Sequence, residues 1–571
     1  MREIRIFGPP GTGKTTTMAK RISAAARAFG SDRVVVSSFT RAAAAEIAGR
    51  NVPIDANNVG TLHSLCFQLL GRPEIAETHM KEWNEENPSL AVGASRSTGD
   101  LDEPAYERSQ AKRGAGEEMM RRLGHCRSRM DPVERWPHPV RGFSKKWNEW
   151  KESHGYLDFT DLIETCLTDT SCAPGNPTVS FIDEGQDLSA LQLALVRKWA
   201  NEQDYFVIAG DDDQLLYEWT GATPDSLLSP PIPDEDKDVL AQSYRVPRKV
   251  HELAMRWVKQ IHHREPKEYR PRPEDGVLDR SIATIYKPKP VLDVINETIS
   301  EGRTCMILAS CGAMLSKSLR MLRDEGIPFH NPYRRTRGDW NPLARRKKGN
   351  TVLDRMIAFL RPEKPLLVGD TIYSQFVDGT PCLGWTMDQI VAWSEHMDAK
   401  TVFRRGAKTE IKSLKKADVS PLPGSNVKYE ERLASWFTDE WMRAIHYMVS
   451  AGAPDIFLFE KSIMPSKKKA YEYAMKIALH PRNLAEIVEG NMEPIEEDPM
   501  VTVGTIHSVK GGEADTVILF PDLSLSGMRE WVSGGTDGRD GIYRQFYVGM
   551  TRASRRLVLG APGSRNHIRI R

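Results

Sequence analysis

Ile4-Arg5-Ile6-Phe7-Gly8-Pro9-Pro10-Gly11-Thr12-Gly13-Lys14-Thr15 is the stretch on which the reading of this 571-residue chain turns. Residues 4–7 read as a buried strand, and residues 8–15 fit G-x-x-x-x-G-K-[ST]. Glycines at these positions let backbone N–H groups converge on phosphate oxygens. The helix predicted from Lys14 to about Phe29 favours negative charge at its N-terminus. In such a loop the lysine, here Lys14, reaches the β and γ phosphates and the hydroxyl of Thr15 ligates Mg²⁺. A strand before and a helix after make this a nucleoside triphosphate site rather than a Gly-rich turn. It takes in Gly8, Pro9, Pro10, Gly11, Thr12, Gly13, Lys14 and Thr15, with Thr16 next in line.

Outward from the loop, Val34-Val35-Val36 reads as a second strand and the Ala-rich stretch 41–50 as a helix. Strand, loop and helix repeated in this way predict a parallel α/β sheet. Further β-type runs stand at 179–182, 205–209, 305–308, 455–458 and 516–520. Residues 71–154, polar and rich in Trp, Arg and Glu, break the pattern and read as mostly helical. Residues 336–485 break it again, with basic clusters at 334–337, 345–348 and 404–416 in or near that stretch. The Pro-rich stretch 229–233 and a turn around Arg270–Pro273 read as punctuation near a boundary.

A phosphate loop needs a carboxylate at the end of another strand. The run Val179–Ile182 leads into Asp183-Glu184-Gly185-Gln186-Asp187. Asp183 suits the Mg²⁺ shell, and Glu184 suits a general base that orients water toward the γ phosphate.

Composition narrows the class without naming partners. Lys and Arg number 79 against 77 Asp and Glu, a formal charge of +2, so overall charge is silent on nucleic acid. A local basic stripe is what binding requires. Seven scattered cysteines without a CxxC pair read as reduced thiols, neither a disulfide frame nor a zinc site. No apolar run approaches the ~18 residues of a membrane span. The expectation is a soluble, cytoplasmic protein without a signal peptide or a membrane partner.

Beyond these readings, a series of boxes resembles the UvrD/Rep-type superfamily 1 DNA helicases. DEGQD (183–187) is similar to their DExQD box, SSFTRAAAAEI (37–47) to TFTxxAAxE, and VGTLHSLC (59–66) to GTxHS. LDFTDLI (157–163) resembles LDFxDLL, AGDDDQLLYEWTGA (209–222) resembles GDxxQxIYxFRGA, and QSYRVP (242–247) resembles QNYRS. VGTIHSVKGGEADTVIL (503–519) is similar to TIHxxKGLExxxV, and YVGMTRAS (547–554) to YVxxTRA.

The resemblance implies an α/β protein with two RecA-like P-loop NTPase domains, each a parallel sheet interrupted by a largely helical insertion. On this division 1–70 plus 155–240 form the first domain and 71–154 its insertion. Residues 241–335 plus 486–571 form the second, with 336–485 as a helical, partly basic insertion. ATP and Mg²⁺ are the implied cofactors, single-stranded DNA and the single-strand/duplex junction the implied partners. A nuclease or a repair or replication protein is the kind of further associate implied.

By matching position, Arg245 and Arg552 are arginine fingers, Gln214 senses the γ phosphate, and Gln186 couples the Mg²⁺ site to the DNA path. Tyr244 stacks on the base and Glu513 bonds the ribose. Phe39, Tyr217 and Trp219 meet DNA bases, while Thr40, His63, Thr505 and His507 lie along the strand or at its coupling contacts. The function implied is an ATP-dependent helicase or translocase that moves on single-stranded DNA, 3′→5′ by resemblance, and unwinds duplex DNA. The motifs do not distinguish an RNA track from a DNA track.

Four departures modify this expectation. The glutamine that family members carry before the phosphate loop has no counterpart ahead of Gly8, and Thr16 stands where an Arg commonly sandwiches the base. Both predict relaxed nucleotide choice. Thr220 replaces the Arg of FRGA, and residues 560–571 lack the aromatic tip of the family's strand-separating hairpin. The last of these favours a translocase that displaces proteins, or powers a nuclease, without separating strands. No nuclease constellation stands out in the remaining sequence.

Overall fold

The computed structural model describes residues 1–38, 53–93, 114–331, 340, 352, 355, 359, 376–377, 380–381, 387–414, 435–450, 456–472 and 499–570. They divide into two compact units. The first draws on 1–317, 331–337 and 502–571, the second on 318–330 and 338–501.

In the first unit, β1 (Arg2–Phe7) runs into the phosphate loop and α1 (Lys14–Phe29), which Gly30 ends. There follow β2 (Val34–Ser38), β3 (Val59–Gly60) and α2 (Leu62–Leu69), whose first turn is capped by the Thr61 hydroxyl accepting from Ser64 N. Helices α3 (Met80–Glu86), α4 (Ala115–Ser128) and α5 (His138–His154) lie within the polar stretch. Then come α6 (Phe159–Asp169), β4 (Val179–Asp183), α7 (Ala190–Ala200), β5 (Tyr205–Gly210) and β6 (Lys237–Val239). Capping boxes at Asp158/Asp161 and Ser189/Gln192 satisfy the free N–H groups that open α6 and α7.

The first sheet has the order β3-β2-β4-β5-β1-β6, and each paired neighbour is parallel. The ends of β1, β4 and β5 therefore bring residues 8, 183 and 210 to one edge. Ligands of open parallel sheets bind at such an edge, outside the carboxyl ends of the strands.

A second sheet begins after β7 (Gln242–Pro247), α8 (Arg248–Val258) and β8 (Arg270–Arg272). Its elements are β9 (Val277–Arg280), α9 (Leu292–Ser300), β10 (Cys305–Ala309), β11 (Val501–Thr505) and β12 (Ala514–Leu519). The set closes with α10 (Leu525–Ser533), α11 (Gly535–Met550) and β13 (Ala553–Leu559). These five strands run in the order β11-β10-β12-β13-β9, and the pairs β10–β12, β12–β13 and β13–β9 are parallel. Residues 270–272, expected as a turn, are a short strand against β7.

The helical stretch keeps its own aromatic core, where Trp83 meets Trp147 edge to face at 5.0 Å and Trp150 at 5.5 Å. Beside it the Asp158 carboxylate accepts from Arg127 at 2.8 Å, Lys151 at 2.7 Å and Trp147 Nε1 at 2.8 Å. The LDFTDLI box thus binds α4 and α5 to α6 through a buried charge network.

The second unit packs helices Met387–Ser394, Ala407–Leu414, Asp439–Ser450 and Ile456–Ser462. Its core is aromatic, with Phe359 stacked on Phe459 at 4.1 Å. The β-type run expected at 455–458 is corrected here: the chain is helical from Ile456. A short apolar run fits a buried helix as well as a strand, and aromatic packing of Phe459 decides for the helix. Arg404 pairs with Asp439 at 2.5 Å and Lys408 donates to the Met397 carbonyl, so both bond within this unit. The basic clusters 334–337 and 345–348 lie outside the described residues, as does the Ala-rich stretch 41–50.

Candidate nucleotide and nucleic-acid site

The phosphate loop turns through two left-handed glycines, Gly11 at φ +73° and Gly13 at φ +76°. Gly11 is also excluded from bearing a side chain by space, because a Cβ there would stand 2.4 Å from Cβ of Arg245. The second half of the unit closes directly on the loop. Tyr244 N donates to the Gly11 carbonyl at 2.8 Å, while Ser243 Oγ at 2.9 Å and Tyr269 OH at 2.8 Å donate to that of Pro10.

Lys14 Nζ lies 2.7 Å from Oε1 of Glu184. Burial alone would depress this ammonium, but Glu184 and Asp183 outweigh it and hold it above the ordinary lysine range. Burial also opposes ionisation of Glu184, yet Lys14 and Lys510 bring its carboxyl down to about 2. Glu184 itself is held in the left-handed region at φ +53°, a conformation uncommon for a residue with a side chain. Asp183 is the buried last residue of β4, and its charge acts on Lys14. A hydroxyl at the start of α1, Thr15, and the Asp183 carboxylate are the oxygen donors that a small hard cation such as Mg²⁺ takes.

Gln186 joins two strand ends: its Nε2 donates to Glu184, and its Oε1 accepts from Asp211 N at 3.0 Å. Gln214 Nε2 donates to Asp211 Oδ2 at 2.8 Å, and its Oε1 accepts from Arg552 Nη2 at 2.9 Å. Arg552 is 1% exposed and also donates to the carbonyls of Val548 and Gly512. Burial, and next the nearby Arg245, lower it to about 9. Arg245 instead pairs with Glu513 at 2.5 Å, and Tyr244 stands 74% exposed beside the loop.

The residues assigned to nucleic acid divide. Trp219 is half-buried, with its ring 5.0 Å from that of His507. His63 packs edge to face on Phe159 at 6.0 Å, and burial holds both histidines neutral, lowered to about 4. Tyr217 departs from expectation: it is 3% exposed, packed among the core of the second sheet, with Lys510 Nζ 5.1 Å above its ring. No face of that ring is offered to a base. Thr505 is likewise fully buried, its hydroxyl capping the next turn by accepting from Ser508 N. Phe39 and Thr40 lie outside the described residues.

Further groups join the site beyond those the sequence assigns a role. Lys510, inside the box at 503–519, pairs with Asp187 and stands 3.9 Å from Glu184. Asp211, Asp212 and Asp213 converge as metal ligands would, and they are the one such group among the described residues. Their centre holds Lys267 Nζ at 3.0, 2.5 and 2.9 Å, and Arg264 forks onto Asp213. Nothing in His262-His263-Arg264-Glu265-Pro266-Lys267 marks it as part of a site. No helix among the described residues is long and apolar enough to cross a membrane.

A phosphate loop at the edge of a parallel sheet, a lysine–carboxylate pair and a buried arginine beside them define a P-loop nucleotide-binding site. The profile of the UvrD/REP helicase N-terminal domain matches residues 2–230. The ATP-dependent DNA helicase UvrD2 of Mycobacterium tuberculosis is 28% identical over 291 residues, 44% of this chain and 40% of the relative. The putative ATP-dependent DNA helicase YjcD of Bacillus subtilis is 24% identical over 247 residues, 39% of this chain and 32% of the relative. PcrA of the same organism is 29% identical over 132 residues, 21% and 18%. Over its first 230 residues the chain is thus similar to the N-terminal domain of UvrD/REP helicases. It spans less than half the length of these relatives.

Proposed function

We propose that this protein is an ATP-dependent, Mg²⁺-requiring motor that moves on single-stranded DNA, 3′→5′, and unwinds duplex DNA. The observation that carries the reading is the bond from Arg552, on the second sheet's side, to Gln214 at the first sheet's edge, beside the Lys14–Glu184 pair. The relatives' names as ATP-dependent DNA helicases support it.

In this reading the phosphates of ATP take Lys14 from Glu184, which then orients water for attack on the γ phosphate. Arg552 and Arg245 supply positive charge to the transferring group, and Gln214 reports its presence to Asp211 and Gln186. Thr15 and Asp183 would hold Mg²⁺, which would supply positive charge against the phosphates. Residues from both halves meet at one nucleotide, so turnover and relative motion of the halves are coupled. Tyr244 stacks on the base, Glu513 takes the ribose, and Trp219 with His507 faces the strand.

Steady-state ATP hydrolysis with and without long single-stranded DNA tests the motor, for wild type and Glu184→Gln. DNA stimulation that Glu184→Gln abolishes is the expected result. Hydrolysis indifferent to DNA removes the motor reading.

A second reading, a translocase without strand separation, is favoured by residues 560–570. They are tacked down: Gly563 N and Ser564 N donate to Asp522, and Ile568 N donates to the Pro521 carbonyl. Among the described residues this stretch projects no aromatic tip. Unwinding of a tailed duplex beside displacement of streptavidin from a biotinylated strand separates the two readings.

A further inference from the structure

We infer that Lys267 is a positioning residue for nucleotide turnover, setting the orientation of Gln214 through Asp211; this rests on the motor reading above. Lys267 is 1% exposed and enters three ion pairs at once. Only the pair to Asp211 leads toward the nucleotide. Asp211 Oδ1 faces the ammonium while Oδ2 accepts from Gln214 Nε2, which leaves Gln214 Oε1 as the acceptor for Arg552. An amide side chain can point either way, and a fixed acceptor at one end decides which end is presented to the arginine.

The loop that bears Lys267 reaches the phosphate side as well. Two residues on, Tyr269 OH donates to the Pro10 carbonyl. At its start, the N–H groups of His262 and His263 donate to Asp540 of α11. One short loop therefore holds the Gln214 turn, the phosphate loop and the helix that leads to Arg552. The other two aspartate side chains end elsewhere: Asp212 also accepts from Glu265 N and Asp213 from Arg264, whereas the Gln214 amide donates to Asp211. The cage thus has one functional arm and two that anchor it.

The test is a double-mutant cycle between Lys267 and Gln214, read in kcat on single-stranded DNA and in affinity for a fluorescent ATP analogue. Lys267→Met and Lys267→Arg are both carried through, the latter keeping the charge that buried aspartates require. Asp212→Asn serves as the control that loosens the cage without touching Gln214. Wild-type hydrolysis establishes the motor reading first, so its failure is distinguishable from failure of this inference.

A positioning role predicts that kcat falls about tenfold or more while analogue affinity stays within about threefold. It further predicts that Gln214→Ala adds little in the Lys267 background, because both changes remove one coupled interaction. Asp212→Asn leaves kcat near wild type while lowering the melting temperature. Additive losses, equal loss of kcat in Asp212→Asn, or failure of both Lys267 variants to fold would assign the cage to folding alone and overturn the inference.

Discussion

Arg552 and Gln214 lie 338 positions apart in sequence and 2.9 Å apart in space. The arginine is buried, and its partners among the described residues are two carbonyls and this amide, with no carboxylate. A buried cation so held costs stability.

Removing that charge separates stability from turnover. Arg552→Met is expected to stabilise the nucleotide-free protein by about 1–2 kcal/mol, since a buried charge without a counter-ion is replaced by an apolar chain. The same change lowers kcat by about 10³-fold. Urea melts with and without ATP analogue, beside steady-state hydrolysis, check both halves; a destabilised apo protein would contradict the account.

Two neighbouring aromatics should fail differently. Trp219→Ala weakens single-stranded DNA binding by about 1–3 kcal/mol with the fold intact. Tyr217→Ala, at a core position, instead lowers stability by about 3–5 kcal/mol. Anisotropy of a labelled oligonucleotide together with thermal melts distinguishes them, and equal effects on DNA affinity would return Tyr217 to the strand contacts.

Acid acts on the buried histidines. His507 is lowered from 6.5 to about 4, so the unfolded chain takes up the proton first as pH falls. Its contribution to stability is full above pH 6.5 and is lost as pH drops toward 4. Asp187 and Asp212, raised from 3.8 to about 6 mainly by burial, act in the opposite sense over the same window. The difference between wild type and His507→Gln isolates the histidine. Wild type should lose stability relative to the variant between pH 6.5 and 4 in urea titrations, and a constant difference would place His507 in solvent.

Nucleotide choice should be broad. Thr16, an exposed residue after the phosphate loop, has no guanidinium to clamp a base against Tyr244. ATP, GTP and CTP are expected to turn over within about tenfold of one another, as loss of one stacking partner implies. A hundredfold preference for ATP would show that another group reads the adenine edge.

What the sequence by itself determined is local. The phosphate loop, the strand that ends in Asp183-Glu184 and the succession of strand and helix were legible because backbone geometry and short-range spacing write them into adjacent residues. Arg245, Gln214 and Arg552 came instead from the resemblance of their boxes to those of the UvrD/Rep-type helicases. What only the tertiary structure decided depends on residues far apart. Lys267 within the aspartate cage, Lys510 against Asp187, the burial of Tyr217 and Thr505, and the helix at 456–462 are of this kind. Burial and pairing arise from which surfaces pack together, and a lysine in solvent and a lysine inside a cage of carboxylates are the same letter in the chain.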